Sequence, residues 1–86
     1  MVKNVIEITN ETGLHARPAS EFVKLAKNYK SDIFLQKEDK KINAKSILGI
    51  LALGLNKGSK VDLVVDGEDE KQAIEVLTDL IKNFDE

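Results

Sequence analysis

Val61-Asp62-Leu63-Val64-Val65-Asp66-Gly67-Glu68-Asp69-Glu70-Lys71-Gln72-Ala73-Ile74-Glu75-Val76-Leu77-Thr78-Asp79-Leu80-Ile81 changes its hydrophobic period midway. Val61, Leu63 and Val65 alternate with Asp62, Val64 and Asp66, the period of two expected of a strand, and the apolar content suits the interior of a sheet. Beyond the turn, Ala73, Ile74, Leu77, Leu80, Ile81 and Phe84 form a stripe at helical spacing. Asp69 followed by Gln72 resembles a capping box, so a helix is expected over about 69–84. Glu68, Asp69 and Glu70 then read as helix-start charges, favoured by the positive end of the helix dipole.

Working back toward the N-terminus, Ser46 stands before the apolar run Ile47, Leu48, Ile50, Leu51 and Leu53, which Gly54 or Gly58 would end. This predicts a short helix near 47–53 with Ser46 as its N-cap. Ile50 and Leu53 take the core side, which leaves Ile47, Leu48 and Leu51 as a candidate docking surface. Ile33 and Leu35, then Ile42 and Ala44, alternate on either side of Lys37-Glu38-Asp39-Lys40 and predict a hairpin. Its turn lacks the Asn-Gly or Asp-Gly pair that would fix the register. Helical spacing of Ala16, Ala19, Phe22, Val23 and Ala26 predicts a helix over about 16–27, with Pro18 tolerated in the first turn. The N-terminal segment 2–8 alternates as a strand, Val2, Ile6 and Ile8 facing one side and Lys3, Val5, Glu7 and Thr9 the other. The order β-α-β-β-α-β-α predicts an α+β fold, a two-layer open-faced sandwich with three helices on one face of a four-stranded antiparallel sheet. One domain is expected over residues 1–86, with the other sheet face meeting water.

Composition excludes several classes of function. The chain has no cysteine and one histidine, which removes disulfides, thiolate catalysis and Cys-based metal sites, and no metal or cofactor is expected. A net charge of −2 argues against a nucleic-acid binder, and the three Phe and one Tyr form no base-stacking pattern. No apolar run approaches the about 20 residues of a membrane span, and no export segment is evident, so a cytoplasmic location is expected.

The chemistry gathers in Thr12-Gly13-Leu14-His15-Ala16-Arg17-Pro18-Ala19. Taken singly, a loop histidine and a helix arginine are ordinary surface groups. Together they set an imidazole nucleophile and a guanidinium fork at a helix start, where backbone N–H groups and the helix dipole favour an anion. The positive end also favours the neutral, nucleophilic ring. That combination reads as a phosphoryl acceptor.

Gly13-Leu14-His15-Ala16-Arg17-Pro18-Ala19 resembles the active-site signature of the HPr family, the histidine-containing phosphocarriers of the phosphoenolpyruvate-dependent sugar phosphotransferase system. Lys45-Ser46-Ile47-Leu48-Gly49 and Leu53-Gly54-Leu55 resemble its second signature, and the likeness runs over essentially the whole chain. It implies a carrier that is a substrate of enzymes and not itself an enzyme. His15 would accept a phosphoryl group on Nδ1 from enzyme I and deliver it to enzyme IIA domains. Arg17 would stabilise that group, with the backbone amides of Ala16 and Arg17 helping to hold it. Ser46 would be a regulatory phosphorylation site, which brings in an HPr kinase/phosphorylase and a catabolite-control transcription regulator as partners. Leu48 and Leu51 stand where methionines are frequent in Gram-positive-type members. A shuttle of this kind is expected to be a monomer. The alternatives are a nitrogen-branch phosphocarrier and an HPr-like regulatory protein acting mainly through Ser46, although paralogues of the latter kind lack the histidine.

Overall fold

The computed structural model describes residues 1–83. Its elements are β1 (Val2–Glu7), α1 (Ala16–Ala26), β2 (Asp32–Lys37), β3 (Lys40–Asn43), α2 (Ile47–Ala52), β4 (Lys60–Asp66) and α3 (Glu70–Lys82). The strands form one antiparallel sheet in the order β1-β4-β2-β3. β4 is therefore interior, as its apolar pattern requires, and α3 packs on β1 and β4 while α1 packs on α2 and α3. This is the expected α+β open-faced sandwich.

The core lies between sheet and helices. Ile6, Ile8, Phe22, Ile33, Leu35, Ile50, Leu63, Leu77 and Ile81 are all essentially inaccessible to solvent, so each contributes about 1.5–3 kcal/mol of burial. Ile8 and Ala44 lie just beyond the ends of their strands yet stay buried. Each still donates its N–H across the sheet, Ile8 to the Ser59 carbonyl and Ala44 to the Ile33 carbonyl, both at 2.8 Å. The hairpin closes with Lys37 opposite Lys40, and Glu38 adopts the left-handed conformation that glycine or asparagine usually supplies. Phe84 of the predicted apolar stripe lies outside the described residues.

Two features depart from the sequence pattern. The open sheet face is not uniformly wet: Val64 is buried there, flanked by Phe34 and Lys3 on the neighbouring strands, and Lys41 lies 4.5 Å over the Phe34 ring. Long basic stems and an aromatic ring cover what helices do not.

The second departure corrects the capping box. Asp69 occupies the N-cap position of α3, but its side chain makes no cap hydrogen bond. Instead it accepts from the Lys30 N–H at 2.9 Å, from the Ser31 N–H at 3.0 Å and from the Ser31 hydroxyl. Ser31 is buried, so its hydroxyl needs a partner, and a carboxylate acceptor reached across the fold is stronger than the local alternative. Asp69 thus ties the start of α3 to the segment entering β2. Glu70 serves the helix start instead, accepting from the Gly67 N–H at 3.1 Å.

The Ser31 hydroxyl and then the Lys30 N–H hold the Asp69 carboxyl below its ordinary value of 3.8. A lowered folded-state pKa means that the unfolded chain binds the proton more readily. This stabilisation is therefore complete above the ordinary value and is lost as pH falls through the lowered one. Asp69→Asn should melt below wild type at neutral pH and show a flatter fall as pH drops below the ordinary carboxylate value of 3.8. Melting curves of both proteins across that range measure it, and parallel curves would show that the clamp carries no linked proton.

Candidate functional site

The loop joining β1 to α1 is built by local rules and fixed by distant ones. Gly13 has φ +67°, and a Cβ at that position would lie 2.2 Å from the Leu55 carbonyl oxygen, so only glycine fits. The Gly13 N–H donates to the Asn10 carbonyl at 3.2 Å, and the Leu14 N–H donates to the Leu55 carbonyl at 2.9 Å. Leu14 is buried, which plants the loop in the core one residue before His15. Glu11 and Lys57 add an ion pair at 2.7 Å between the same two segments, and Lys57 holds the Glu11 carboxyl below its ordinary value. Both groups are well exposed, so the pair contributes orientation more than stability.

His15 is the N-cap residue of α1, with extended backbone and a side chain that takes no part in capping. Its carbonyl accepts the Ala19 N–H at 3.0 Å and so begins the helix. Pro18 has no N–H to offer, so the helix end presents the backbone N–H groups of Ala16 and Arg17. His15, Ala16 and Arg17 are all exposed, whereas Pro18 and Ala19 are buried directly behind them. An imidazole, a guanidinium and two amides therefore share one solvent-facing helix start backed by the core. The chemistry available is attack by an exposed ring nitrogen on an electrophile whose negative oxygens the dipole and guanidinium favour.

Ser46 caps α2, its hydroxyl accepting from the Gly49 N–H at 3.2 Å and its carbonyl from the Ile50 N–H at 3.1 Å. Next to it, the Lys45 ammonium donates to the Tyr29 carbonyl beyond α1 at 2.9 Å, and so fixes one helix against the other. Ile50 and Leu53 are buried, while Ile47 and Leu51 are each 38% exposed and Leu48 is 80% exposed. The other two large apolar side chains exposed among the described residues are Met1 and Val5, both remote in sequence, so α2 carries the one cluster. Neither Asn10 nor Leu55 stands out in the sequence as part of the site. Asn10 reads only as a turn former, and nothing local indicates that Leu55 would meet Leu14.

Among the described residues no group of His, Cys, Asp and Glu could hold a metal, and no helix is long and apolar enough to cross a membrane. A family model described as the PTS HPr component phosphorylation site matches residues 2–83. The HPr-like protein Crh of Bacillus subtilis is 48% identical over 77 residues, spanning 90% of this chain and 91% of its own. Phosphocarrier protein HPr of Neisseria meningitidis serogroup A is 43% identical over 84 residues, spanning 98% and 94%. A crystal structure of HPr from Thermoanaerobacter tengcongensis, 51% identical, superimposes with a TM-score of 0.92 over 95% of this chain and 92% of its own. A second structure of that protein, an HPr dimer, gives a TM-score of 0.76. With the family model spanning nearly the whole chain and an exposed histidine at the start of α1 on the same fold, this chain belongs to the HPr family of phosphocarriers.

Proposed function

We propose that the chain carries phosphoryl groups on His15, receiving them from phosphorylated enzyme I and delivering them to enzyme IIA domains. The observation that supports this most is the exposed imidazole at the N-cap of α1, beside Arg17 and the amides of Ala16 and Arg17. In the transfer, Nδ1 of neutral His15 attacks phosphorus, a new N–P bond forms, and the bond to the donor breaks with its electron pair returning to the donor. Arg17 and the two amides receive the phosphoryl oxygens. Release to the next acceptor is the same step in reverse, so the chain is a substrate of enzymes. A monomer suits a shuttle that shows one face to successive partners, although the Thermoanaerobacter relative also forms a dimer. Incubation with phosphoenolpyruvate and enzyme I tests the reading: the label should be acid-labile and alkali-stable, and should map to His15. An acid-stable label, or none, would overturn it.

A second, regulatory use of Ser46 through an HPr kinase/phosphorylase and a catabolite-control regulator is supported by the helix-cap position of Ser46 and by the likeness to a Bacillus subtilis structure described as Crh, the catabolite repression HPr. His15 favours the carrier reading over a purely regulatory one, and the two sites lie on separate helix starts. Ile47, Leu48 and Leu51, beside Ser46 on α2, would form the docking patch for enzyme I. A phosphate there brings about −1.5 to −2 charges to the edge of that contact. Two like unit charges at about 4 Å cost about 1 kcal/mol in water and about 4 at an effective dielectric near 20. Ser46→Asp supplies one charge and keeps a good N-cap, so it should cost about 1–2 kcal/mol of association, roughly tenfold in apparent affinity, with the fold intact. The concentration dependence of His15 phosphorylation at low and high salt measures this. An unchanged apparent affinity at low salt would leave Ser46 a structural cap.

A further inference from the structure

We propose that Asn10 is the positioning residue of the His15 site, holding the Gly13–Leu14 peptide group in one orientation; this rests on the acceptor reading of His15. The carbonyl of that peptide group accepts from Asn10 Nδ2 at 2.7 Å, and its N–H donates to the Leu55 carbonyl at 2.9 Å. One plane is thus gripped on both edges by groups outside it. Rotation about Gly13 ψ and Leu14 φ, the motion that would re-aim everything from Leu14 onward, breaks both bonds together. The loop needs such a grip because Gly13 has no side chain to restrict it and already sits at positive φ. The next peptide group leads into His15, whose carbonyl starts α1, so the grip sets where the ring leaves the backbone.

Asn10 is poorly explained as a residue kept for stability. The residue is 5% exposed, yet Oδ1 accepts no hydrogen bond from the described residues. The bond made by Nδ2 contributes only modestly net, and an amide oxygen that finds no protein donor offsets part of it. What remains is geometric. Removing the side chain should lower the melting midpoint modestly, because the Gly13 carbonyl loses its donor, and loosen the peptide plane that precedes the nucleophile.

Three proteins test this: wild type, Asn10→Ala and the near-isosteric Asn10→Asp. Each is followed by melting, by hydrogen exchange of the Leu14 amide, by the NMR signals of the His15 ring and by steady-state labelling from phosphorylated enzyme I. Asn10→Ala should exchange the Leu14 amide at least about tenfold faster and show altered His15 ring signals. It should lower kcat about tenfold, the scale of a misplaced reacting group, with KM nearly unchanged because α2 is untouched. Asn10→Asp carries a carboxylate against the Gly13 carbonyl at neutral pH and cannot donate. Burial raises the pKa of such a group, and its protonated form has an O–H to give, so its labelling rate relative to wild type should rise about threefold or more between pH 8 and pH 6. Failure of wild type to label His15 would sink the acceptor reading alone, and the exchange and ring signals would still decide on Asn10. Wild-type exchange, ring signals and kcat in a folded Asn10→Ala, or an Asn10→Asp ratio that ignores pH, would overturn the positioning role.

Discussion

His15→Ala should reduce phosphoenolpyruvate-dependent labelling to background while leaving the unfolding free energy within about 0.5 kcal/mol of wild type. The chemical half follows from composition. The chain has one histidine and no cysteine, so no second imidazole or thiol can carry an acid-labile phosphate in its place. A serine phosphate at Ser46 would be acid-stable and therefore distinguishable. The structural half follows from how His15 is used in the fold. Its contribution to α1 is the backbone carbonyl that accepts the Ala19 N–H, which alanine keeps, and its side chain supplies no cap. The ring is exposed, so truncation opens no cavity. Labelling retained in this variant would remove His15 as the acceptor. A loss of stability well beyond 1 kcal/mol would show instead that the ring helps to hold the loop.

Gly13→Ala should have the opposite profile, destabilising the fold by about 2–4 kcal/mol and lowering the melting midpoint by more than about 10 °C. Two costs add. A non-glycine residue at φ +67° is strained, and the new Cβ would stand 2.2 Å from the Leu55 carbonyl oxygen and 2.8 Å from the Asn56 Cα. Both obstacles are backbone, so relief requires moving a segment and stretching the Leu14 to Leu55 hydrogen bond. Against a total stability on the order of 5–10 kcal/mol the loss is large. Gly54 provides the control: its φ is +62°, yet a Cβ there meets nothing within 4 Å. Gly54→Ala should cost about 1 kcal/mol, the strain without the collision. Equal effects at the two positions would mean that the approach of Leu55 to Gly13 does not constrain the loop. Labelling of Gly13→Ala should also fall where the protein is still folded, because His15 follows the displaced segment by only two residues.

Periodicity determined the elements because burial selects side chains, and burial is read directly from spacing. The stripe of Ala73, Leu77 and Ile81 and the alternation of Val61, Leu63 and Val65 state which faces turn inward before any partner is known, and all six are buried. His15 and Arg17 were legible for a related reason. They stand two residues apart at a helix start, so the sequence already holds the local geometry that gathers imidazole, guanidinium and amides. The exposed side of α2 was equally local, since a six-residue helix with Ile50 inward must turn Leu48 outward. What the sequence left open involves pairs far apart in the chain. Asp69 three residues before Gln72 satisfies the local rule for a cap, yet its carboxylate turns to Lys30 and Ser31, more than 35 residues away, because the buried Ser31 hydroxyl competes for it. Val64 reads as a solvent-side residue and is buried because Phe34 and Lys3 happen to flank it in register. Asn10 reads as one turn former among several. Only when β1 and β4 pair does the segment after α2 bring Leu55 against Leu14, and that contact makes the Asn10 bond to Gly13 one half of a grip. A local signal is an energy that neighbouring residues settle among themselves; each of these contacts depends on which distant group arrives with an unmet donor or an unfilled space, and the chain must fold before that is decided.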